Sequence, residues 1–166
     1  FLGGRRFIKK KPGRDDLELG GHTKVMGAIN ITTDSFYPGS RVKGTDGCVE
    51  AALRMHKEGA DIIDIGAEST RPGSSPLGQE EEARRLVPAI EAVRRELPHV
   101  LISADTFRSE TARAALDSGA DIINDISGGA FDGGMFPLLA KIGNPIVIMH
   151  ARDVPEGMHH PVTYGD

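Results

Sequence analysis

An eight-residue pattern that occurs twice is the feature that most constrains the fold of this chain. Residues 58–65 read Glu-Gly-Ala-Asp-Ile-Ile-Asp-Ile, and residues 118–125 read Ser-Gly-Ala-Asp-Ile-Ile-Asn-Asp. In each copy a glycine ends a helix and an apolar run begins a buried strand. Strand–helix units that repeat with short turns predict a parallel sheet with right-handed crossovers.

The rest of the chain continues this alternation of strands and helices. Apolar runs predict strands at 25–30, 62–66, 100–105, 122–126 and 146–150. Helices are predicted at 46–58, 79–96, 109–118 and 136–142. Asp46 and Ser109 are the expected N-caps of the first and third helices, and Gly59 is expected to end the first in a left-handed conformation.

Two architectures fit these elements, an open doubly wound sheet and a (β/α)₈ barrel. Neither the Gly-x-Gly-x-x-Gly fingerprint of dinucleotide sites nor a P-loop follows any predicted strand. Polar residues instead end all five strands, namely Asn30, Glu68, Asp105, Asn124 with Asp125, and His150. A site assembled from every strand end is typical of the barrel, so the sequence predicts an α/β fold of the (β/α)₈ TIM-barrel class.

The length of the chain limits how much of a barrel it can form. A complete barrel takes roughly 250 residues, whereas this chain has 166 residues and about five strand–helix units. We interpret residues 23–166 as the N-terminal portion of a longer barrel that is incomplete at the C-terminus. A complete small domain is the alternative, although its fifth strand would expose an unpaired edge.

Residues 1–22 differ from the remainder in charge. The first 14 residues carry six Lys or Arg and no acid, while the whole chain has a net charge of −4. We interpret this segment as a basic N-terminal arm or hairpin. Such an arm can contact nucleic acid, but the acidic remainder would oppose a polyanion, so no nucleic-acid partner is expected.

The cysteine content and the hydropathy of the chain indicate the cellular compartment in which it is expected. The single cysteine, Cys48, excludes an internal disulfide framework and fits a reducing compartment. No apolar run approaches the length needed to cross a bilayer. We therefore expect a cytoplasmic protein without a membrane partner.

The loops after the first two strands carry groups suited to anions and cations. Asn30-Ile-Thr-Thr-Asp34 offers oxygen atoms that can hold hydrated Mg²⁺ and phosphate, or else forms an Asx or ST turn. Glu68-Ser-Thr-Arg71 offers a guanidinium that can bind phosphate or carboxylate, or else pair with Glu68.

The later strand ends suggest a planar polar ligand. Asp105 is a natural partner for a guanidine-like edge, such as that of an aminopyrimidinone, and Asn124 with Asp125 can donate and accept hydrogen bonds. His150 could act in acid–base chemistry. Helix caps, turns and packing are the alternative roles for these residues.

Five motifs occur in the order and spacing of dihydropteroate synthase, and the chain resembles that family from about residue 17 onward. The motifs are Met26-Gly-Ala-Ile-Asn-Ile-Thr-Thr-Asp-Ser-Phe36, the run 59–73, Asp105-Thr106, Asn124-Asp-Ile-Ser-Gly-Gly129 and Met149-His150. The resemblance implies a (β/α)₈ pterin-binding barrel. It also implies a transferase of folate biosynthesis, which joins 7,8-dihydropterin-6-ylmethyl diphosphate to 4-aminobenzoate and releases diphosphate. Sulfonamides would compete for the aminobenzoate site, and the full-length protein would form a homodimer.

The resemblance also implies roles for individual residues. Asn30 matches the position that binds Mg²⁺ and diphosphate, and Asp105 and Asn124 match positions that bind the pterin ring. The remaining matches are Ile126 and Met149 lining the ring, Ser35 and Phe36 in a first mobile loop, and Thr70, Arg71 and Pro72 in a second near diphosphate and aminobenzoate. Asn30, Thr70, Arg71 and Asp105 are the expected catalytic residues.

The chain departs from the family pattern in its first loop and in its length. Tyr-Pro-Gly-Ser follows Phe36 where Ser-Asp-Gly-Gly is common, so that Pro38 replaces a loop aspartate, and Ala67 replaces a glycine. The later family motifs lie beyond residue 166, so the chain alone is expected to be inactive. Two alternatives stay open: a non-catalytic pterin-binding member, and a methyl-transfer pterin domain, a group that lacks the Ser-Thr-Arg-Pro-Gly loop.

Overall fold

The chain folds into a parallel sheet covered by helices on one face. The computed structural model describes residues 6–8, 17–19, 21–32, 41–67 and 77–149. Its strands are β1 (Arg6–Ile8), β2 (Leu17–Leu19), β3 (Met26–Thr32), β4 (Arg41–Lys43), β5 (Ile62–Gly66), β6 (Leu101–Asp105), β7 (Ile122–Asp125) and β8 (Ile146–Ile148). Its helices are α1 (Gly44–Lys57), α2 (Gln79–Glu96), α3 (Ser109–Asp117) and α4 (Met135–Ile142).

The strands form two sheets, of which the larger carries the fold. β1 and β2 pair as a small antiparallel hairpin in the basic N-terminal segment. The other six strands form one sheet in the order β4-β3-β5-β6-β7-β8, and every pair in it is parallel. The α/β class and the sequential parallel strands predicted from the sequence are therefore confirmed, whereas the short strand β4 was not predicted.

The repeated pattern makes the same contacts in both of its copies. Asp61 accepts hydrogen bonds from the backbone of Val25 (2.9 Å) and from Lys24 Nζ (3.0 Å). Asp121 likewise accepts from the backbone of Ile102 (3.0 Å) and from Arg94 Nη2 (2.6 Å). Each carboxylate therefore ties the start of its own strand to the preceding strand, which fixes the register between neighbouring units.

The glycines of the repeat let the chain leave one element and enter the next. Gly59 has φ +104° and Gly119 has φ +117°, conformations that residues with a Cβ rarely adopt. Gly59 therefore ends the first helix with a positive φ, as predicted.

The two predicted N-caps are wrong. α1 begins at Gly44 directly after β4, which leaves Asp46 inside its first turn. The positive φ of Gly44, +68°, allows this early entry into the helix. α3 begins at Ser109 with Arg108 at the N-cap position and no capping side-chain bond; Asp132 Oδ2 instead accepts the Ser109 backbone N–H at 2.6 Å.

The two faces of the sheet have different neighbours. Ile29, Ile63, Ile65, Ile102 and Ile123 are buried against the helices, together with residues such as Leu86, Ile90 and Leu116. On the opposite face a smaller apolar cluster joins Ile62, Leu101 and Ile122, with Met26 packed beside it. This second face is the interior of the barrel wall, and its polar residues lie above that cluster, toward the carboxyl ends of the strands.

A buried ion pair connects α2 to the segment that leads into α3. Glu82 is 1% exposed, and its Oε2 accepts hydrogen bonds from Arg108 Nη1 and Thr111 Oγ1, both at 2.9 Å. Arg108 Nη2 also donates to the Leu77 carbonyl oxygen at 2.8 Å. The pair links α2, α3 and the segment before α2.

We expect Arg108→Met to lower the free energy of unfolding by about 3 kcal/mol, because it leaves the buried Glu82 carboxylate without its cation. The matched control is Arg84→Met, since the Arg84 side chain is 75% exposed and pairs with Glu81 at the surface. That change should lower the free energy of unfolding by less than about 1 kcal/mol. Urea-induced unfolding measures both values, and equal losses would contradict a structural role for the buried pair.

Candidate functional site

Polar residues from three strands, and a glycine from a fourth, meet at one level of the barrel interior. The register pairs Asn30 of β3 with Gly66 of β5, Gly66 with Asp105 of β6, and Asp105 with Asn124 of β7. Side chains at paired positions of a parallel sheet lie on the same face. Asn30, Asp105 and Asn124, predicted as site residues from three separate motifs, therefore share the mouth at the carboxyl edge of the sheet.

Gly66 brings two of these side chains together. A Cβ atom placed on Gly66 would lie 3.0 Å from Asp105 Oδ2 and 3.1 Å from Asn30 Oδ1. The side-chain oxygens of Asn30 and Asp105 thus occupy the space that a larger residue at this position would fill. Gly66 was not among the predicted site residues, although a glycine at the end of a buried strand often marks a close approach of other groups.

Asn124 is held from below by a buried carboxylate. Its Nδ2 donates a hydrogen bond to Asp64 Oδ2 at 3.0 Å. Asp64 lies one step deeper on β5, paired with Ala28 and Ser103, and is 6% exposed. Burial raises the pKa of Asp64, and the hydrogen bond from Asn124 only partly offsets that rise. Asp64 is a second residue of the site that the sequence did not single out.

Ile126 and Met149 directly follow β7 and β8, beside the mouth. Ile126 is half-buried, and Met149 is 43% exposed. The Met149 backbone N–H donates to the Asp125 carbonyl oxygen at 3.3 Å, which ties the two strand ends together. Ile126 and Met149 therefore lie at the same edge of the sheet as Asn124.

Asp125 forms a turn rather than part of the mouth. Its fully buried carboxylate accepts from the Ser127 backbone (2.8 Å), from Ser127 Oγ (2.7 Å) and from the Gly129 backbone (2.9 Å). The turn role weighed for this residue is therefore confirmed, and its suggested contact with a heterocycle is wrong. The carboxylate shapes the loop after β7.

The other predicted site residues lie outside the described residues. They are Ser35 and Phe36 after β3, and Thr70, Arg71 and Pro72 after β5. Glu68, Pro38 and His150 also fall outside the described ranges. Their positions relative to the mouth stay predictions.

The mouth offers side-chain oxygen atoms of the kind that Mg²⁺ prefers as ligands. Asn30 Oδ1 and Asp105 Oδ2 both border the space above Gly66. Among the described residues, no group of three or more His, Cys, Asp or Glu side chains could hold a metal ion. Because Mg²⁺ commonly takes only one or two protein oxygens and completes its shell with water and substrate phosphate, Asn30 fits such an ion.

Residues 26–166 match the family of pterin binding enzymes. The chain belongs to this family. Dihydropteroate synthase from Synechocystis is 42% identical over 154 residues, which are 93% of this chain and 53% of that protein. The mitochondrial folate synthesis bifunctional protein of Arabidopsis thaliana is 48% identical over 135 residues, or 80% of this chain and 24% of its own.

Solved structures of pterin binding enzymes agree with this relationship. Yersinia pestis dihydropteroate synthase, in complex with a sulfonamide drug, matches 97% of this chain and 57% of its own with a TM-score of 0.84 and 34% identity. The Xanthomonas albilineans enzyme with 4-aminobenzoic acid matches 82% of this chain and 49% of its own with a TM-score of 0.73 and 40% identity. The predicted resemblance and the barrel class are confirmed.

The match covers most of this chain but a smaller share of each relative. The chain spans about half the length of the bacterial relatives it matches, with 53% coverage for the Synechocystis protein. None of the helices in the described ranges is long and apolar enough to cross a membrane.

Asp64 and Asp61, both in the first copy of the repeated pattern, should have opposite effects on stability at pH 7. Burial raises the pKa of Asp64, so the folded state favours the protonated carboxyl group. Below the ordinary pKa the folded protein therefore carries no penalty, and as pH rises through the folded-state pKa the ionised carboxylate lowers its stability. We expect Asp64→Asn to remove this penalty and raise Tm at pH 7 by about 2–4 °C, the change that about 1 kcal/mol produces in a chain of this size. The gain should shrink as the pH approaches the ordinary pKa.

Asp61→Asn is the matched control for this measurement. The Val25 backbone N–H and Lys24 hold the pKa of Asp61 below its usual range, so its contribution is present above the ordinary pKa and lost in acid. This variant should lower Tm at pH 7, with a loss that disappears at low pH. Thermal unfolding followed by circular dichroism between pH 3 and pH 8 measures both, and a lower Tm for Asp64→Asn at pH 7 would contradict the analysis.

Proposed function

We propose that the chain is part of a dihydropteroate synthase, which joins 7,8-dihydropterin-6-ylmethyl diphosphate to 4-aminobenzoate and releases diphosphate. The observation that carries the proposal is the meeting of Asn30 and Asp105 around Gly66, with Asn124 paired beside Asp105, at the mouth of the barrel wall. Relatives that carry the name of this enzyme match more than 90% of this chain, which supports the assignment.

The pterin ring would bind to the later strands of the mouth. The Asp105 carboxylate can accept two N–H bonds from the aminopyrimidinone edge, and the Asn124 amide can pair with a neighbouring ring atom. Ile126 and Met149 would supply apolar contacts to the ring. This arrangement would direct the methyl diphosphate toward the earlier strands, where Asn30 lies.

The diphosphate would lie near Asn30 and the two loops that follow β3 and β5. Asn30 Oδ1 would hold Mg²⁺, and the bound ion would neutralise the charge that develops on the leaving diphosphate. Thr70 and Arg71 would bind diphosphate and the aminobenzoate carboxylate through hydroxyl and guanidinium donors. Ser35, Phe36 and Pro72 would close over the aminobenzoate.

The reaction that best suits these groups breaks the C–O bond before the amine attacks. The pterin methyl group then carries positive charge, and the anionic Asp105 beside the ring stabilises that charge. The residues of the two loops would exclude water, which would otherwise compete with the amine of 4-aminobenzoate for the cation. The side chains of this chain therefore bind, orient and shield the substrates.

Further properties follow from the same assignment. Sulfonamides would compete with 4-aminobenzoate, in line with the sulfonamide complex of the Yersinia pestis relative. We propose a homodimer for the full-length protein, without nucleic acid as a partner. A cytoplasmic location stays a prediction, since two plant relatives are named as mitochondrial proteins.

The proposal is tested by incubating the full-length protein with the pterin diphosphate, 4-aminobenzoate and Mg²⁺, and measuring diphosphate and 7,8-dihydropteroate. We expect equal amounts of both products, inhibition by a sulfonamide, and no turnover by residues 1–166 alone, because the later motifs of the family pocket are missing from them. Pterin binding without diphosphate release would contradict the proposal and favour a non-catalytic pterin-binding member, for which Pro38 in the first loop is the specific observation.

Gly66→Ala tests, in the same assay, whether activity depends on the positions of the side chains around Gly66. Its Cβ would meet the side-chain oxygens of both Asn30 and Asp105, and a displacement of about 1 Å can lower activity about 100-fold. Gly133→Ala is the matched control, because a Cβ there meets nothing within 4 Å. We expect a loss of roughly 100-fold in kcat/KM for the first variant and less than about twofold for the second.

A further inference from the structure

Asp64 is a buried carboxylate that the proposed reaction does not use. It lies one step below the mouth on β5, where its register neighbours are Ala28 and Ser103. Below this level the same face is apolar, with Met26, Ile62 and Leu101 in contact. A carboxylate at this depth is costly to bury, so the fold alone would be served as well by an aliphatic residue.

The hydrogen bonds around Asp64 are incomplete. Within the described part of the chain, Asp64 Oδ1 and Ser103 Oγ are buried side-chain atoms without a hydrogen-bond partner. Asp64 Oδ2 accepts one bond, from Asn124 Nδ2 at 3.0 Å. Buried polar groups that stay unsatisfied are rare and are often associated with function. The one bond that Asp64 makes leads directly to a residue of the mouth.

An asparagine amide can present either of its ends to a ligand. Its oxygen only accepts hydrogen bonds and its nitrogen only donates them, while the two ends have nearly the same shape. A carboxylate below Asn124 selects between the two orientations, because it accepts from Nδ2 and repels Oδ1. With one Nδ2 hydrogen donated to Asp64, Oδ1 is fixed at the opposite end of the amide as an acceptor.

We propose that Asp64 is a positioning residue that fixes the orientation of the Asn124 amide, so that Asn124 Oδ1 accepts a hydrogen bond from a ring N–H of the bound heterocycle. The inference rests on the proposed function, since the heterocycle is the pterin of that reaction. Asp64 itself does not contact the substrate. It determines that the mouth presents an acceptor beside the Asp105 carboxylate, which favours a ring edge that carries adjacent donors.

The test compares Asp64→Leu with Asp64→Asn in the full-length protein. Asp64→Leu removes the acceptor below Asn124, so we expect KM for the pterin diphosphate to rise by about tenfold or more, as for the loss of a hydrogen bond to a charged group. KM for 4-aminobenzoate should change by less than about twofold, because that substrate does not depend on Asn124. Asp64→Asn retains a carbonyl acceptor and should restore most of the pterin affinity.

Ser103→Ala is the matched control. It removes a buried oxygen at the same level of the sheet without touching the bond between Asp64 and Asn124. We expect both KM values to stay within about twofold of the wild type. An equal rise of both KM values in Asp64→Leu would indicate a general loss of structure and would overturn the proposal, as would an unchanged KM for the pterin diphosphate.

A second readout separates this proposal from the proposed function. The side-chain amide hydrogens of Asn124, followed by NMR without substrate, should exchange with solvent about tenfold faster in Asp64→Leu than in the wild type. Affinity for 6-hydroxymethylpterin monophosphate should fall in parallel. A wild-type protein without turnover that still shows both effects would refute the synthase activity and support the positioning role. Unchanged exchange and unchanged pterin affinity in an active enzyme would refute the positioning role alone.

Discussion

The parallel hydrogen-bond register of β3, β5, β6 and β7 is the constraint on which the rest of the structure depends. It places Asn30, Gly66, Asp105 and Asn124 at one level of the inner face, although they are far apart in the sequence. The carboxylates of Asp61 and Asp121 support this register from the other end of the strands. A slip of one residue in β3, β6 or β7 would turn the polar residue of that strand from the mouth into the helical layer.

The inner face combines stability and binding at different depths. Ile62, Leu101 and Ile122 form its apolar base, while the oxygen atoms of Asn30 and Asp105 approach each other across Gly66 at the mouth. Asp64 lies between these layers, and burial raises its pKa. The penalty of burying this carboxylate is local, because the large apolar layer between the sheet and the helices provides the main stabilisation. The site can therefore retain buried polar groups without full hydrogen bonding on a stable scaffold.

Much of the fold follows from short-range patterns in the sequence. Apolar runs and the repeated helix-stop motif predict the five main strands and four helices, and Asn30, Asp105 and Asn124 follow from their place at strand ends. Gly66 and Asp64 could not be found in this way, because their roles depend on which residues the register sets beside them. The caps at Asp46 and Ser109 failed for a similar reason: a positive φ at Gly44 and a distant carboxylate, Asp132, determine where those helices begin.

A crystal structure of the full-length protein with 6-hydroxymethylpterin monophosphate tests the central claim most directly. The account predicts that ring nitrogens lie about 2.7–3.2 Å from the Asp105 carboxylate and from Asn124 Oδ1, with the phosphate toward Asn30. It also predicts that Asn124 Nδ2 still donates to Asp64. A ring bound elsewhere, such as in the cavity beside the start of α1 that Lys43, Thr45 and Arg85 line, would contradict it.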